Sequence, residues 1–333
     1  MKNIVEGYFL VTNQELVFEV KGSIHPDDGY IAYLRYIPSK TGKRVSKDGK
    51  NYRKVYPLED RESYLRKKFP QYLRYESSYG RVLQIVPARE VAFILNPVDA
   101  LRGFRDRESH LSPIQYSTLR LATRLVESCG ISWDYLGVTG SQLVGLETKD
   151  SDIDLAVFGK NSGRKLFSAL KSKLDTIEGI ERYSDEALNR HTAFRWGTNN
   201  SYFNMLREIE RKKVLQGLFN GYDFFIRLVM NRDEVGHSYG ACKYEEIGVH
   251  VLRCSVIDDS NSIFTPCEYS VKCIDQSDIK KIVSYRGRYT EHVSAGVEVE
   301  AKGRLEAVRD AYGEKWLQLV LGESDNDYLI PID

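Results

Sequence analysis

The chain has 333 residues, 42% of them apolar and 29% charged, with a formal net charge of +1. That is the mix of an ordinary globular protein of two or three domains, and it excludes the collagen-like, disulfide-scaffold and disordered classes. No apolar run approaches the roughly 18–20 residues that a membrane-spanning helix needs. The start Met1-Lys2-Asn3-Ile4-Val5-Glu6-Gly7 sets an acid and a glycine where a signal peptide needs an apolar stretch, so a cytoplasmic protein with no membrane partner is expected.

The first hundred residues alternate like strands. EGYFLVT, ELVFEVKG and GYIAYLRYIP are aromatic and β-branched, and Asn13 and Pro26-Asp27-Asp28-Gly29 break them. His25-Pro26-Asp27 reads as part of that turn. A Gly/Lys-rich loop or hairpin follows, with a tight-turn signal at Asp48-Gly49. The pattern becomes helical from Glu59 to Lys68 and stops before Pro70. A short helix is expected over about 88–95, and LNPVDALRGFRDRESHLSP reads as a connector.

Charge is uneven along this part. Residues 40–81 hold thirteen Lys/Arg against five acids, interleaved with Tyr52, Tyr56, Tyr64, Tyr72, Tyr75 and Tyr79. Basic side chains bind phosphates and rings stack on unpaired bases, so nucleic-acid contact is one reading. A solvated surface whose tyrosines fill a core is the other.

Ser112-Pro113 is a good helix start and Gly130 a good stop, which frames a helix through IQYSTLRLATRLVESC. Strands are expected at WDYLGVTG and SDIDLAVFG, a helix over about 164–177 capped by Asn161 or Ser162, a charged helix-rich stretch over 184–219, and an apolar strand at YDFFIRLVM. After Gly248 short β runs separated by Gly, Asp, Asn and Ser suggest a small barrel or sandwich. Five cysteines, odd in number and without C-x-x-C spacing, read as reduced and mostly buried thiols.

The informative stretch is GVTGSQLVGLETKDSDIDLAVFG, residues 137–159. A strand delivers the chain to Gly140-Ser141, a short helical turn follows, and ten residues separate Ser141 from Asp152. Residues two apart on a strand share a face, so Asp152 and Asp154 point the same way, roughly 6–7 Å apart. Two such carboxylates can hold Mg²⁺, which prefers a few carboxylates plus phosphates and water. Two ions so placed clamp the attacking and leaving oxygens of a phosphoryl transfer. Gly140 lets backbone approach a phosphate, Ser141 can donate its hydroxyl, and the turn after it can offer N–H groups and dipole. The glycines of 140–145 form no Rossmann fingerprint, and the P-loop lysine is missing.

Gly140-Ser141 followed by Asp152-Ile153-Asp154-Leu155 resembles the nucleotidyltransferase superfamily, whose members include DNA polymerase β, CCA-adding enzymes and poly(A) polymerases. The resemblance covers about 111–230. It implies a third carboxylate on a later strand that helps bind the catalytic metal and activate the attacking hydroxyl. Asp223, opening YDFFIRLVM, is the best candidate, with Glu245, Glu246 and Glu268 weaker. The flanks SIHPDDGYIAYLRYIP, IFTPCEYSV and GRYTEHVSAGVEVEAKGRLEAV resemble an uncharacterised archaeal family of predicted nucleotidyltransferases, a resemblance that brings no known reaction.

Outside this core, Arg190, His191, Arg195 and Trp196, then Arg207, Arg211, Lys212 and Lys213, could reach a triphosphate or a nucleic-acid backbone, or form a charged exposed face matched by Glu208 and Glu210. Arg190 is the nucleotide-binding candidate among them. His237 and His250 are isolated and read as structural. Tyr285-Arg286-Gly287-Arg288-Tyr289 could contact RNA on a barrel like an oligonucleotide-binding fold, or be a plain barrel strand.

The resemblance and the pattern together imply an α+β chain. A central mixed sheet with helices like that of polymerase β (109–247) would be flanked by a β-rich accessory domain (1–108) and a small C-terminal β-barrel (248–333). The expected function is transfer of a nucleoside monophosphate from an NTP to a hydroxyl with release of pyrophosphate. Catalytic and metal residues would be Asp152, Asp154 and Asp223; Gly140, Ser141 and Arg190 would bind the nucleotide; two Mg²⁺ ions would be needed. RNA is the expected acceptor, ahead of DNA and with tRNA among the candidates. The alternatives are a non-catalytic RNA-binding module on an inactive transferase fold and a protein-modifying, AMP-adding enzyme.

Overall fold

A computed structural model of the chain describes residues 4–274 and 278–332. Met1-Lys2-Asn3, on which the reading of the chain start partly rests, lie outside them. The fold is mixed α+β, with three sheets and seven α-helices among the described residues. Contacts divide it into two units.

The first unit holds the stretch up to Glu76, Arg81–Ile180 and Leu215–Tyr239. Its N-terminal sheet runs Arg44–Val45, Asn51–Lys54, Gly29–Pro38, Val17–Val20, Phe9–Thr12, Val91–Leu95. Arg81–Pro87 pairs with Gly29–Pro38, and Leu73–Glu76 with Arg81–Pro87. Leu10, Phe18, Val20, Leu34, Leu65 and Tyr72 form its core, and helix Leu58–Lys68 packs there through Leu65. A second, five-stranded sheet runs Ile180–Glu181, Gln216–Phe219, Tyr222–Val229, Ile153–Phe158, Leu136–Val138. The two sheets share apolar contacts: Phe9, Val17, Tyr36 and Tyr52 meet Leu143 and Leu146, and Val5 meets Ala156, Phe158 and Val229.

Helix Pro113–Cys129 has the expected ends. Ser112 and Gln115 form a reciprocal capping box, proline takes the first turn, and Gly130 closes it at φ 65°. Three other expectations need correction. Residues 88–95 are a 3-10 turn and the strand Val91–Leu95, because VAFIL pairs with Phe9–Thr12. The connector contains helix Pro97–Arg105, whose Asn96 cap accepts from Val98 N at 3.0 Å. This helix lies against Gly137, where a Cβ would come within 2.5 Å of Pro97. The next helix begins at Lys160 behind Gly159, with neither Asn161 nor Ser162 as its cap.

The second unit holds Ser77–Gly80, Glu181–Val214 and the chain from Gly240. Helices Asp185–Trp196 and Phe203–Lys212 place Trp196, Leu206 and Ile209 in one core with Leu252, Tyr269, Ile282, Tyr289 and Leu319. Lys213 and Glu210 form a fully buried pair at 2.8 Å. The helix-rich reading of 184–219 stops short, since Gln216–Phe219 is a strand of the first unit. The C-terminal strands form a six-stranded sheet ordered Lys243–Asn261, Cys267–Cys273, Ile279–Ser284, Lys315–Leu321, Glu298–Arg309, Tyr328–Pro331. Lys243–Asn261 also pairs with Glu298–Arg309.

Candidate functional site

The informative stretch lies in the second sheet of the first unit. Leu136–Val138 runs antiparallel to Ile153–Phe158, and Tyr222–Val229 runs parallel on its other side. Asp154 aligns with Phe225. Asp223, two residues earlier, therefore shares the face that carries Asp152 and Asp154. Asp152 and Asp223 are exposed; Asp154 keeps a partly accessible face but is densely surrounded by protein. Among the described residues no three acid, histidine or cysteine side chains converge as a ready-made metal cage.

Gly140 adopts φ +64°, and a Cβ there would lie 2.1 Å from Asp154 Oδ2. Glycine is required on both counts, for the left-handed backbone and for the close approach of the carboxylate. Ser141 is 7% exposed, and its Oγ has no hydrogen-bond partner. The turn Gly140–Leu143 is held by Leu146 N donating to Ser141 O at 2.9 Å, while Gln142 Nε2 donates to Asp152 O at 3.4 Å. It is four residues long. Too few peptides align in it for the dipole expected there.

The electrostatics involve residues that the sequence reading did not single out. Burial, and then the neighbouring Asp152 charge, push the Asp154 carboxyl up to about 7; Arg227 and Arg35 pull the other way. Arg227, aligned with Ala156 on the adjacent strand, pairs with Glu6 at 2.5 Å and Glu19 at 2.9 Å. Lys21 pairs with the same two acids at 3.3 and 2.8 Å, and Arg35 with Glu19 at 3.0 Å. Burial alone would raise the Glu19 carboxyl, but Lys21, Arg35 and Arg227 outweigh it and hold it well below the usual range.

A bulge aims Arg35. Val17 pairs with Tyr36 but Phe18 with Leu34, so Arg35 is the extra residue. Tyr36 lies opposite Lys54 across the next strand pair. Arg44 stands 5.8 Å over the Tyr36 ring and donates to Leu146 O at 2.5 Å and Ser151 Oγ at 3.5 Å. Arg44 and Lys54 come from the basic segment, so part of that charge faces the carboxylates.

A divalent cation suits this donor set. Two carboxylates on one face, one of them raised to about 7 by burial and the neighbouring Asp152 charge, would gain from a cation, and the Ser141 hydroxyl leaves a buried polar atom without a hydrogen-bond partner in the adjoining turn. Asp152 and Asp154 are the residues that would hold it.

The remaining candidates lie on other elements. Arg190 is in the second unit, exposed, and pairs with Glu186 at 2.6 Å. Arg207 and Arg211 both pair with Asp185 and Glu208. His191 stacks on Tyr183 at 4.6 Å. Glu245, Glu246 and Glu268 belong to the second unit, Glu268 paired with Lys281 at 3.3 Å. Gly287–Tyr289 is a 3-10 turn rather than a strand. Tyr289 is buried, with its hydroxyl on Asp327 O, and Arg288 lies over Trp196. His25 is buried and stands just before the turn at Asp27–Asp28. Four of the five cysteines are buried free thiols, and Cys273 is half-buried.

The chain is similar to the uncharacterized protein MJ1086 of Methanocaldococcus jannaschii, at 27% identity over 331 residues that cover 96% of this chain and 97% of the relative. That relative is archaeal, in keeping with the resemblance of the flanks, and its name states no activity. No family model matches the chain, and no solved structure matches it.

Proposed function

We propose that the chain is a Mg²⁺-dependent nucleotidyltransferase that moves a nucleoside monophosphate from an NTP onto a hydroxyl of RNA, with tRNA the first acceptor to try. One observation carries this reading. The Gly140-Ser141 turn abuts Asp154 so closely that only glycine fits, on the face that Asp152 and Asp223 share. Bound Mg²⁺ would neutralise the entering and leaving oxygens. Asp152 and Asp154 would hold that ion, and Ser141 Oγ would donate to a phosphate oxygen. Asp223 takes the proton of the acceptor hydroxyl. The acceptor oxygen forms its bond to the α-phosphorus as the bond from that phosphorus to the bridging oxygen breaks. Pyrophosphate leaves with the bridging oxygen and the electron pair. Catalysis on this account is positioning and charge neutralisation.

RNA as acceptor is supported by the second unit. Taking the first five C-terminal strands in chain order, they pair first-second-third-fifth-fourth. The fourth returns to the first, and the third and fifth are parallel. This ring is similar to the five-stranded oligonucleotide-binding barrel, whose second and third strands and fourth-to-fifth loop bind nucleic acid. Here those positions carry exposed Lys272 and Lys280, and a loop whose Tyr312 is 96% exposed.

The test is incubation of the purified protein with Mg²⁺, each α-labelled NTP and total RNA, beside Asp152→Ala. Label entering RNA only with the wild type is the expected result. Label on protein instead favours the AMP-adding alternative. RNA retention by both proteins without labelling favours the inactive binding module.

A further inference from the structure

The transferase reading accounts for the carboxylates but leaves a group of cations on the N-terminal sheet without a task. Among the described residues neither Arg44 nor Lys54 has a carboxylate partner. Among the described residues the Lys54 ammonium makes no hydrogen bond, and it stands 5.2 Å from the Tyr56 ring centroid. Arg35 stands over the same ring at 5.6 Å. Tyr36 is 2% exposed and packs with Leu143 and Leu146, which flank the end of the Gly140 turn. Lys54 is its cross-strand neighbour and Arg44 covers its ring. Arg44 also reaches Ser151, the residue before Asp152. The cations are thus fastened around one buried ring beside the carboxylate face. Lys54 is half-buried with like charges nearby, an arrangement that costs free energy unless an anion joins it. Burial, and then Arg35 and Arg44, lower its pKa, while Asp152 and Asp154 oppose that shift. Among the described residues Ser141 Oγ is buried in the adjoining turn without a hydrogen-bond partner.

We infer that Arg44, Lys54 and Ser141 Oγ form a polyphosphate subsite that receives the β- and γ-phosphates of the nucleotide, the portion released as pyrophosphate. The inference rests on the transferase reading for the identity of the ligand but not for its chemistry. Two cations and a hydroxyl on a fixed platform suit a chain of phosphates whatever is attached to it. It also changes the role of the N-terminal sheet. Arg44 and Lys54 belong to the basic, tyrosine-rich segment, and here they contact the nucleotide rather than RNA.

The experiment is calorimetric titration of the full-length protein with inorganic tripolyphosphate, with and without Mg²⁺. Lys54→Met is the primary variant, because Lys54 holds no other group in place; Arg44→Met would also loosen the 146–151 loop. Lys54→Arg tests rescue, and Lys47→Met, which removes an exposed cation of the same segment, is the control. The expected result is tripolyphosphate binding that Lys54→Met weakens about 10-fold, that Lys54→Arg restores, and that Lys47→Met leaves unchanged. In the labelling reaction, Lys54→Met should raise KM for NTP by a similar factor. No binding by the wild type, or equal binding by wild type and Lys54→Met, overturns the subsite. Lys54-dependent binding with no nucleotide transfer to any acceptor leaves the subsite standing and removes the transferase reading. Transfer with an unchanged KM in Lys54→Met does the reverse.

Discussion

Gly140 does two things that one methyl group would undo. Its φ of +64° is strained for any side chain, and the added carbon would meet Asp154 Oδ2 at 2.1 Å. Gly140→Ala should therefore push Asp154 off its present position. We expect a loss of about 2 kcal/mol of stability from backbone strain and overpacking, and a fall of at least about 100-fold in nucleotide transfer. Melting curves beside the labelling assay check both; a fully active Gly140→Ala protein would show that the close approach is not needed. His25 carries a pH prediction of its own. Nδ1 accepts from Ile31 N at 3.2 Å, so Nε2 carries the hydrogen toward Ile4 O at 3.0 Å. Burial lowers the imidazole pKa to about 4, Arg232 adding to that and Glu6 opposing it. Unfolded, the ring takes up its proton near pH 6.5, so the unfolded state gains protons first as pH falls. His25 then supports the fold fully above about pH 6.5 and loses that contribution as pH drops through about 4. Between pH 7.5 and 4.5 the loss is about 2.5 kcal/mol. Urea unfolding at the two pH values should show His25→Gln losing less stability than the wild type by that amount.

At the level of elements, the strands Val17–Val20, Gly29–Pro38 and Tyr222–Val229 are tied by an ion network in which Arg227, Lys21 and Arg35 surround Glu6 and Glu19. Taking one member from such a buried set leaves its partners uncompensated. Arg227→Met is expected to cost about 3–5 kcal/mol, measured as a shift of the denaturant midpoint; a change below about 1 kcal/mol would mean that water reaches the acids. None of this network was legible in the chain order. Arg227 stands 221 residues from Glu6 and 208 from Glu19, and in YDFFIRLVM it reads as an isolated charge. What could be read were local signals. Ser112-Pro113 and Gly130 framed their helix, and Gly140-Ser141 with Asp152-Ile153-Asp154 marked two adjacent strands. Asn96-Pro97, with Asp99 in the first turn and Arg102 and Arg105 in the last, carried an equally good helix signal inside the supposed connector. Val91–Leu95 has no period to separate strand from helix, and its pairing with Phe9–Thr12 decides the matter. The bulge that frees Arg35 is a property of register between strands, which no single segment contains.

For the whole molecule, the proposed reading gives chemistry and RNA binding to different units, and that division can be tested without separating them. Lys272 and Lys280 lie on the second and third strands of the C-terminal sheet, and Lys281 beside them stands 5.9 Å from the Trp316 ring. Exposed Arg309 and Lys315 flank the loop that presents Tyr312, and Asp310 shapes it by accepting from Tyr312 N and Glu314 N, both at 2.9 Å. On the proposed reading these lysines and the exposed ring would meet unpaired bases, and each phosphate contact would add to the salt dependence of binding. The triple variant Lys272→Ala, Lys280→Ala, Tyr312→Ala replaces no residue of the carboxylate site. In full-length protein it should weaken retention of single-stranded RNA by about 10–100-fold. The slope of log affinity against log salt should fall by about 1.4, roughly 0.7 for each lysine removed. Tripolyphosphate binding should not change. If affinity and slope both stayed at the wild-type values, the C-terminal sheet would not be the RNA surface. The remaining basic residues of 40–81 that do not face the carboxylates would then be the place to look.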